Sequence, residues 1–157
     1  MTKFVAANPV PLFDRIAGAA DLSFDGRLMD SGGLMSSLQR DLGRLFNVRN
    51  GMTVADFLSY PDTDADFPVR YWGMPCLLTL SAQSAEDLAK LEAVVARAIA
   101  RFEPRLQHVQ VKAARDPKRN SSARVAIAAA VSTGNQLCRV DFDVTMDSQT
   151  VQFEGGA

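Results

Sequence analysis

Three aspartates at alternate positions, Asp62, Asp64 and Asp66, resemble the start of a calcium-binding loop. Such a loop needs a glycine directly after its third acidic position and a glutamate at its end. Phe67 and Gly73 stand in those two places. The spacing therefore favours a solvated acidic loop over a calcium site.

The histidine and the cysteines give little support to nucleophilic or metal chemistry. His108 is the only histidine, so a site with several histidine ligands is impossible. Cys76 and Cys138 lie far apart in the chain, whereas zinc sites use closely spaced pairs, and two reduced thiols are favoured over a single bridge. Gly32 and Gly33 lack the Lys-Ser/Thr ending of a phosphate-binding loop. The sequence predicts no metal site and no cofactor.

Glycoside hydrolysis needs two carboxylates that flank a cleft, one of them protonated when the enzyme works. Glu103, beside Phe102 at the end of a helical pattern, is one candidate. The other glutamates, Glu86, Glu92 and Glu154, occupy positions that look exposed or terminal, and no spacing singles out an aspartate. We therefore predict no catalytic residues. A peptidoglycan-cleaving, muramidase-like hydrolase and a generic protein-binding module remain the alternative functions.

The segment Phe102–Leu106 joins the longest helical pattern to the first strand pattern. Pro104 stiffens this joint, Arg105 offers a planar fork of donors, and Glu103 offers a carboxylate. Two interpretations stay open at this point. One is an internal staple in which Arg49 pairs with Glu103, and the other is a surface that docks a partner.

The elements that position this joint follow from the spacing of apolar residues. Steps of three and four predict helices over residues 34–47 and 84–102, and Pro104 ends the second helix. Shorter helical patterns cover residues 12–16 and 53–58.

After Pro104 the apolar period changes to two, which is typical of strands. The alternation predicts strands over residues 108–113, 124–131 and 139–146, with a short last strand that holds Val151. We expect an α+β fold, in which helices pack on one face of an antiparallel sheet of three to four strands.

Length and charge limit the organisation and the function. The chain of 157 residues predicts an extended arm over residues 1–11 and a single domain over residues 12–157. The formal net charge of −1 argues against nucleic-acid binding. No apolar run is long enough to span a membrane, and the first residues lack the core of a signal peptide. The expected compartment is the cytoplasm.

Five short segments carry a family resemblance. They are Leu-Phe-Asp-Arg-Ile at residues 12–16, Leu-Gln-Arg-Asp-Leu at 38–42, Leu-Phe-Asn-Val-Arg at 45–49, Tyr-Trp-Gly-Met-Pro at 71–75 and Phe-Glu-Pro-Arg-Leu at 102–106. With the long helix and the strands in order, they resemble the TssE family of type VI secretion baseplates. They are also similar to the baseplate-wedge proteins of contractile phage tails, which were once labelled lysozymes.

The resemblance implies a structural, non-enzymatic baseplate subunit. It implies that the wedge subunits TssF and TssG dock at Glu103, Pro104 and Arg105, and we predict Asn47 and Arg49 as further partner-binding residues. It also implies that the sheath, built of TssB and TssC, begins to polymerise from this subunit. TssK belongs to the same baseplate, which docks at the inner membrane on its cytoplasmic side, without insertion of this chain into the bilayer.

The predicted sheet has open edges. An edge strand presents unpaired backbone donors and acceptors, to which a partner strand can add. The candidate edges are Val109–Ala113 in the first strand and Thr150–Phe153 at the end of the chain, including Val151.

Overall fold

A computed structural model of the chain describes residues 8–9, 28–29, 31–61, 68–133 and 136–154. The helices are α1 (Ser31–Asn47), α2 (Val54–Ser59) and α3 (Ala85–Phe102), and a 3-10 turn covers Val69–Tyr71. The strands are β1 (Asn8–Pro9), β2 (Leu28–Met29), β3 (Leu106–Arg115), β4 (Ala123–Thr133), β5 (Gln136–Met146) and β6 (Val151–Phe153).

The long helices form where the apolar spacing predicts them. The Ser84 side chain accepts the N–H of Asp87 at 3.2 Å and thereby caps the start of α3. The helix ends at Phe102, because Pro104 keeps the preceding residue out of helical geometry. In α1 the buried stripe is Leu34, Leu38, Leu42, Leu45 and Phe46. The helix itself begins three residues before Leu34, at Ser31.

Strands β3 to β6 form one antiparallel sheet in the order β3-β4-β5-β6. Alternate residues of β4, from Ala123 to Thr133, are buried, as expected for a sheet with one face against the core. Helix α3 packs against β3, and α1 packs against β6. The predicted α+β class, with helices on one face of a four-stranded sheet, is confirmed.

The predicted arm over residues 1–11 lies outside the described residues, except for β1. Asn8 pairs with Met29 and Pro9 with Leu28 in a two-stranded antiparallel ladder. The predicted short helix over residues 12–16 also lies outside the described residues. Among the helices that the structure describes, none has the length and apolar character needed to cross a bilayer.

Two arginines of α3 hold the end of α2 and the chain that follows it. The Arg97 guanidinium donates to the carbonyl of Leu58 at 2.6 Å and to that of Tyr60, and Arg101 donates to the carbonyl of Pro61 at 3.0 Å. Cations are favourable at the carbonyl end of a helix. These contacts fix α2 beside the last two turns of α3.

A short parallel bridge between Arg49 and Met74 fixes the chain after α1. The Met74 N–H donates to the Val48 carbonyl at 2.9 Å, and the Asn50 N–H donates to the Met74 carbonyl at 2.9 Å. Gly73 makes this approach possible, because its φ is +114° and a Cβ there would lie 2.7 Å from the Val48 carbonyl oxygen.

We expect Gly73→Ala to lower the free energy of unfolding by roughly 2 to 3 kcal/mol, since it combines backbone strain with the loss of a buried hydrogen bond. Gly51→Ala is the matched control. Gly51 also has a positive φ, +78°, but nothing lies within 4 Å of its Cβ position. Gly51→Ala should lower the free energy of unfolding by only about 1 kcal/mol. Urea unfolding measures both, and equal losses would contradict the close-approach explanation.

Candidate docking surface at the helix–sheet joint

Glu103 and Arg105, on either side of Pro104, form a bidentate ion pair. Arg105 Nε donates to Glu103 Oε1 at 2.6 Å, and Arg105 Nη2 donates to Glu103 Oε2 at 2.6 Å. The Glu103 side chain is only 7% exposed, whereas that of Arg105 is 28% exposed. A buried carboxylate needs such a partner, because an uncompensated charge in the interior is strongly unfavourable.

Helix α1 completes this cluster of charges. Arg105 Nη2 also donates to Asp41 Oδ2 at 2.7 Å, and Nη1 donates to Ser37 Oγ at 3.2 Å. Hydrogen bonds from Arg105 to Glu103 are the largest cause that raises the pKa of Arg105; burial opposes this rise, and Asp41 adds to it. Arg105 therefore ties α1 to the joint between α3 and β3.

This arrangement is the internal staple that the sequence left open, but with a different partner. The partner suggested for Glu103 under that interpretation, Arg49, is wrong, because Arg105 is the residue that donates to both carboxylate oxygens. Arg49 Nη1 instead donates to the Phe46 carbonyl at 2.5 Å. Burial lowers the pKa of Arg49, while the charges of Cys76 and Asp147 oppose this change.

Asn47, the last residue of α1, closes the outer edge of β6. Its Oδ1 accepts the N–H of Val151 at 2.9 Å, and its Nδ2 donates to the Val151 carbonyl at 3.2 Å. The same Nδ2 donates to the Gly43 carbonyl at 2.8 Å, which holds the amide against its own helix. The side chain thus takes the place of a neighbouring strand at Val151, whose side chain is buried in the core.

The opposite edge of the sheet is covered less completely. Glu92 of α3 accepts the outward N–H of Ala113 in β3 at 2.8 Å. Near the start of β3 the register shifts between Gln107 and Gln110, and His108 has a positive φ of 52°. Such a bulge interrupts the edge, so the regular part of β3 begins at Gln110.

Residues 33–136 match the family described as baseplate wedge protein gp25. The chain belongs to this family. No curated protein matches the sequence. The matched stretch contains the joint from Phe102 to Leu106 together with all of β3 and β4. Membership places the chain among structural proteins of phage-tail-like baseplates, in agreement with the resemblance drawn from the sequence.

The geometry of Glu103 in this baseplate-wedge domain does not suit acid catalysis. A general acid must carry a proton to donate, whereas both oxygens of Glu103 accept hydrogen bonds from Arg105. Within the described ranges, histidine, cysteine and acidic side chains form no group of three or more that could hold a metal ion.

The predicted partner-binding residues fall into two places joined by α1. Glu103, Pro104 and Arg105 lie at the joint, and Asn47 lies with Val151 at the β6 edge. Arg49 is at neither place, since it lies in the bridge to Met74 and donates to the Phe46 carbonyl at the end of α1. Sequence analysis missed Ser37, Asp41 and Glu92. A polar residue inside an apolar stripe was the available signal for Ser37, which is 2% exposed.

Arg105→Ala should unfold at a lower temperature, because it leaves Glu103 buried without its charge partner. We expect a loss of about 3 kcal/mol in the free energy of unfolding, or roughly 6 to 12 °C in Tm. Arg105→Lys should recover less than half of the loss, because an ammonium cannot reproduce the fork.

Arg139→Ala is the matched control for this prediction. Arg139 pairs with Asp141, also two residues away, but both side chains are exposed. Its removal should leave Tm unchanged within measurement error. A similar Tm for Arg105→Ala and Arg139→Ala would contradict the staple.

Proposed function

We propose that the chain is a structural baseplate subunit of a type VI secretion machine, a contractile assembly related to phage tails. In this role it links the wedge complex to the sheath and starts sheath polymerisation. The observation that carries the proposal is the match of residues 33–136 to the baseplate wedge family. The assignment to a type VI machine rests in addition on the segments that resemble TssE, among them Phe102–Leu106.

The proposed partners are the wedge subunits TssF and TssG at the joint, and the sheath subunits TssB and TssC at the sheet. TssK shares the baseplate, and the assembly works on the cytoplasmic side of the inner membrane. The near-neutral net charge of −1 supports a partner that is protein and not nucleic acid.

The shape of the joint supports docking there. Pro104 is exposed although its neighbour Glu103 is buried, so the proline is accessible to a partner at a joint that the ion pair holds in place. Pro104 also lines a groove of about 700 Å³ that runs beside α3. Small side chains, Ala93, Ala96 and Ala100, form one wall, which lets a partner approach the helix closely. The staple and the docking site are then the same residues in two roles.

The joint is tested by binding of the purified full chain to co-expressed TssF and TssG. We expect wild type to bind and Arg105→Ala to bind less tightly by about thirtyfold or more per folded molecule, since truncation of a partly desolvated charge is costly. Affinity is measured well below the Tm of each variant. If Arg105→Ala has a lowered Tm but binds TssF and TssG with normal affinity, the joint stabilises the fold and does not dock the wedge. No binding by wild type would overturn the wedge role.

For the sheath, β3 offers the more open edge. Asn47 already occupies both outward backbone groups of Val151, so a strand that adds to β6 must first displace it. On β3 only the N–H of Ala113 is held by a helix side chain among the described residues. We therefore favour the β3 candidate edge, which leaves Val151 with a structural role.

Proline substitutions at the two edges separate these candidates. Val111→Pro and Val151→Pro each remove one outward N–H and spare the ladder to the neighbouring strand. Val111 lies two residues before Ala113 on the same side of β3, and its N–H is not the one that Glu92 holds. We expect Val111→Pro to block sheath polymerisation in cells and Val151→Pro to allow it, with Tm measured for both. The reverse pattern would assign docking to β6.

A further inference from the structure

Strand β6 covers only a small part of the outer edge of β5. Its three residues pair with residues 144–146 of β5, and the Glu154 N–H donates to the Asp143 carbonyl at 2.9 Å. Strand β5 itself already begins at Gln136. Among the strands that the structure describes, none pairs with the outer side of residues 137–141, and we call this stretch the free β5 edge.

The backbone groups of this edge point away from the sheet. Successive residues of a strand direct their N–H and C=O groups to opposite sides, and the Asp143 carbonyl faces the β6 side. The N–H and C=O groups of Leu137, Arg139 and Asp141 therefore face that side too. In the described part of the chain these groups have no hydrogen-bond partner. Each of the three residues thus offers one donor and one acceptor to an added strand.

The other two edges carry features that discourage strand addition, whereas the free β5 edge does not. Asn47 occupies the outward groups of Val151 on β6, and a bulge interrupts β3 before Gln110. The pairing of β5 with β4 runs without a shift over the whole strand, which contains no proline. A long and regular edge of this kind is a template for pairing with another chain.

Two exposed side chains lie at the start of this edge. Leu137 is 60% exposed, and Cys138 is an exposed free thiol. Side chains alternate between the faces of a sheet, so Leu137 shares the open face with Arg139 and Asp141, which pair with each other. Cys138 lies on the opposite face, the same face as the buried Val140.

The surroundings of the free β5 edge limit how an antiparallel copy of β5 can pair with it. Glu154 fills the position opposite Asp143, so a two-fold axis at Val140 would drive the added strand into Glu154. An axis at Arg139 would place two guanidinium groups directly opposite each other, which is unfavourable. An axis at Cys138 avoids both problems, and an axis nearer the β4–β5 turn would leave fewer hydrogen bonds.

We propose that two copies of the chain associate through the free β5 edge, in antiparallel pairing with the two-fold axis at Cys138. Leu137 of each copy exchanges both backbone hydrogen bonds with Arg139 of the other copy. The two Cys138 side chains lie directly opposite each other, and the two Leu137 side chains lie diagonally across the axis. The pairing joins two four-stranded sheets into one and covers both exposed side chains.

A second copy is the occupant because it presents the same short edge with the same limits. A two-fold interface repeats each favourable contact, so the unpaired groups of one copy satisfy those of the other. The charges do not oppose it, since Arg139 faces Leu137 and remains paired with Asp141 of its own chain. The interface is small, so we expect weak and reversible association, with a Kd on the order of 100 μM.

The register is tested by oxidative cross-linking of the full chain carrying Cys76→Ser, with diamide as the oxidant. Diamide takes up the two thiol hydrogens as the disulfide forms. Residues directly opposite each other in such a pair have Cα atoms about 4.5 Å apart, within reach of a disulfide. We therefore expect a covalent dimer through Cys138.

The matched control for cross-linking is the chain with Cys76→Ser, Cys138→Ser and Arg139→Cys. In the proposed register the two residues at position 139 are diagonal neighbours, with Cα atoms roughly 7 to 8 Å apart. A disulfide does not span that distance. This variant should remain largely uncross-linked under the same conditions, and cross-linking at position 139 in preference to Cys138 would overturn the proposed pairing.

Charge at position 137 tests the same register without a change to the backbone. Residue 137 faces Arg139 of the second copy, so Leu137→Lys places like charges opposite each other and Leu137→Glu places opposite charges there. In sedimentation equilibrium, Leu137→Glu should associate at least about tenfold more tightly than Leu137→Lys. The same two changes at Leu78, which is 67% exposed and outside the strands, should leave self-association unaltered.

Proline substitution tests which edge is used. Arg139→Pro removes an outward N–H and spares the ladder to β4, so it should abolish the dimer, while Val111→Pro on β3 should leave it intact. Tm is measured for both, and the variants at position 137 decide if Arg139→Pro does not fold. Wild type that sediments as a monomer at about 1 mM overturns the proposal. Equal association of Leu137→Lys and Leu137→Glu also overturns it, as does a dimer that survives in folded Arg139→Pro.

Discussion

The carboxylate of Glu103 constrains the rest of the structure, because a buried charge must be paired where it lies. Arg105 is the partner, and Pro104 sets the backbone between them so that two hydrogen bonds of 2.6 Å can form. The same guanidinium then reaches Asp41. Arg105 therefore ties α1 to the joint between α3 and β3, in addition to the apolar contacts that α1 makes with the core.

Helix α1 transmits this constraint to the far edge of the sheet. Asp41 holds its middle at the joint, and Asn47 at its end pairs with Val151 of β6. The aromatic contact between Phe46 and Phe153, with centroids 6.2 Å apart, adds packing at the same place. An unprotected strand edge invites unwanted pairing, and here helix side chains protect both edges to different degrees.

A joint held by a buried ion pair suits a structural subunit of a baseplate. The residues that hold the domain together are also those at which we propose that a wedge partner binds, so loss of stability and loss of binding have to be measured separately. The groove beside Pro104 lies at the same joint. The proposed wedge contact therefore lies beside residues that the ion pair between Glu103 and Arg105 holds in place.

The sequence by itself determined helices α1 to α3, strands β3 to β6 and the end of α3 before Pro104, because periodicity and proline geometry act over neighbouring residues. It also identified Glu103 and Arg105 as exceptional. Only the tertiary structure decided that Arg105, and not Arg49, pairs with Glu103, and that Asn47 closes β6 at Val151, 104 residues away. Such contacts depend on how elements pack, and apolar spacing along the chain does not encode which polar groups meet across it.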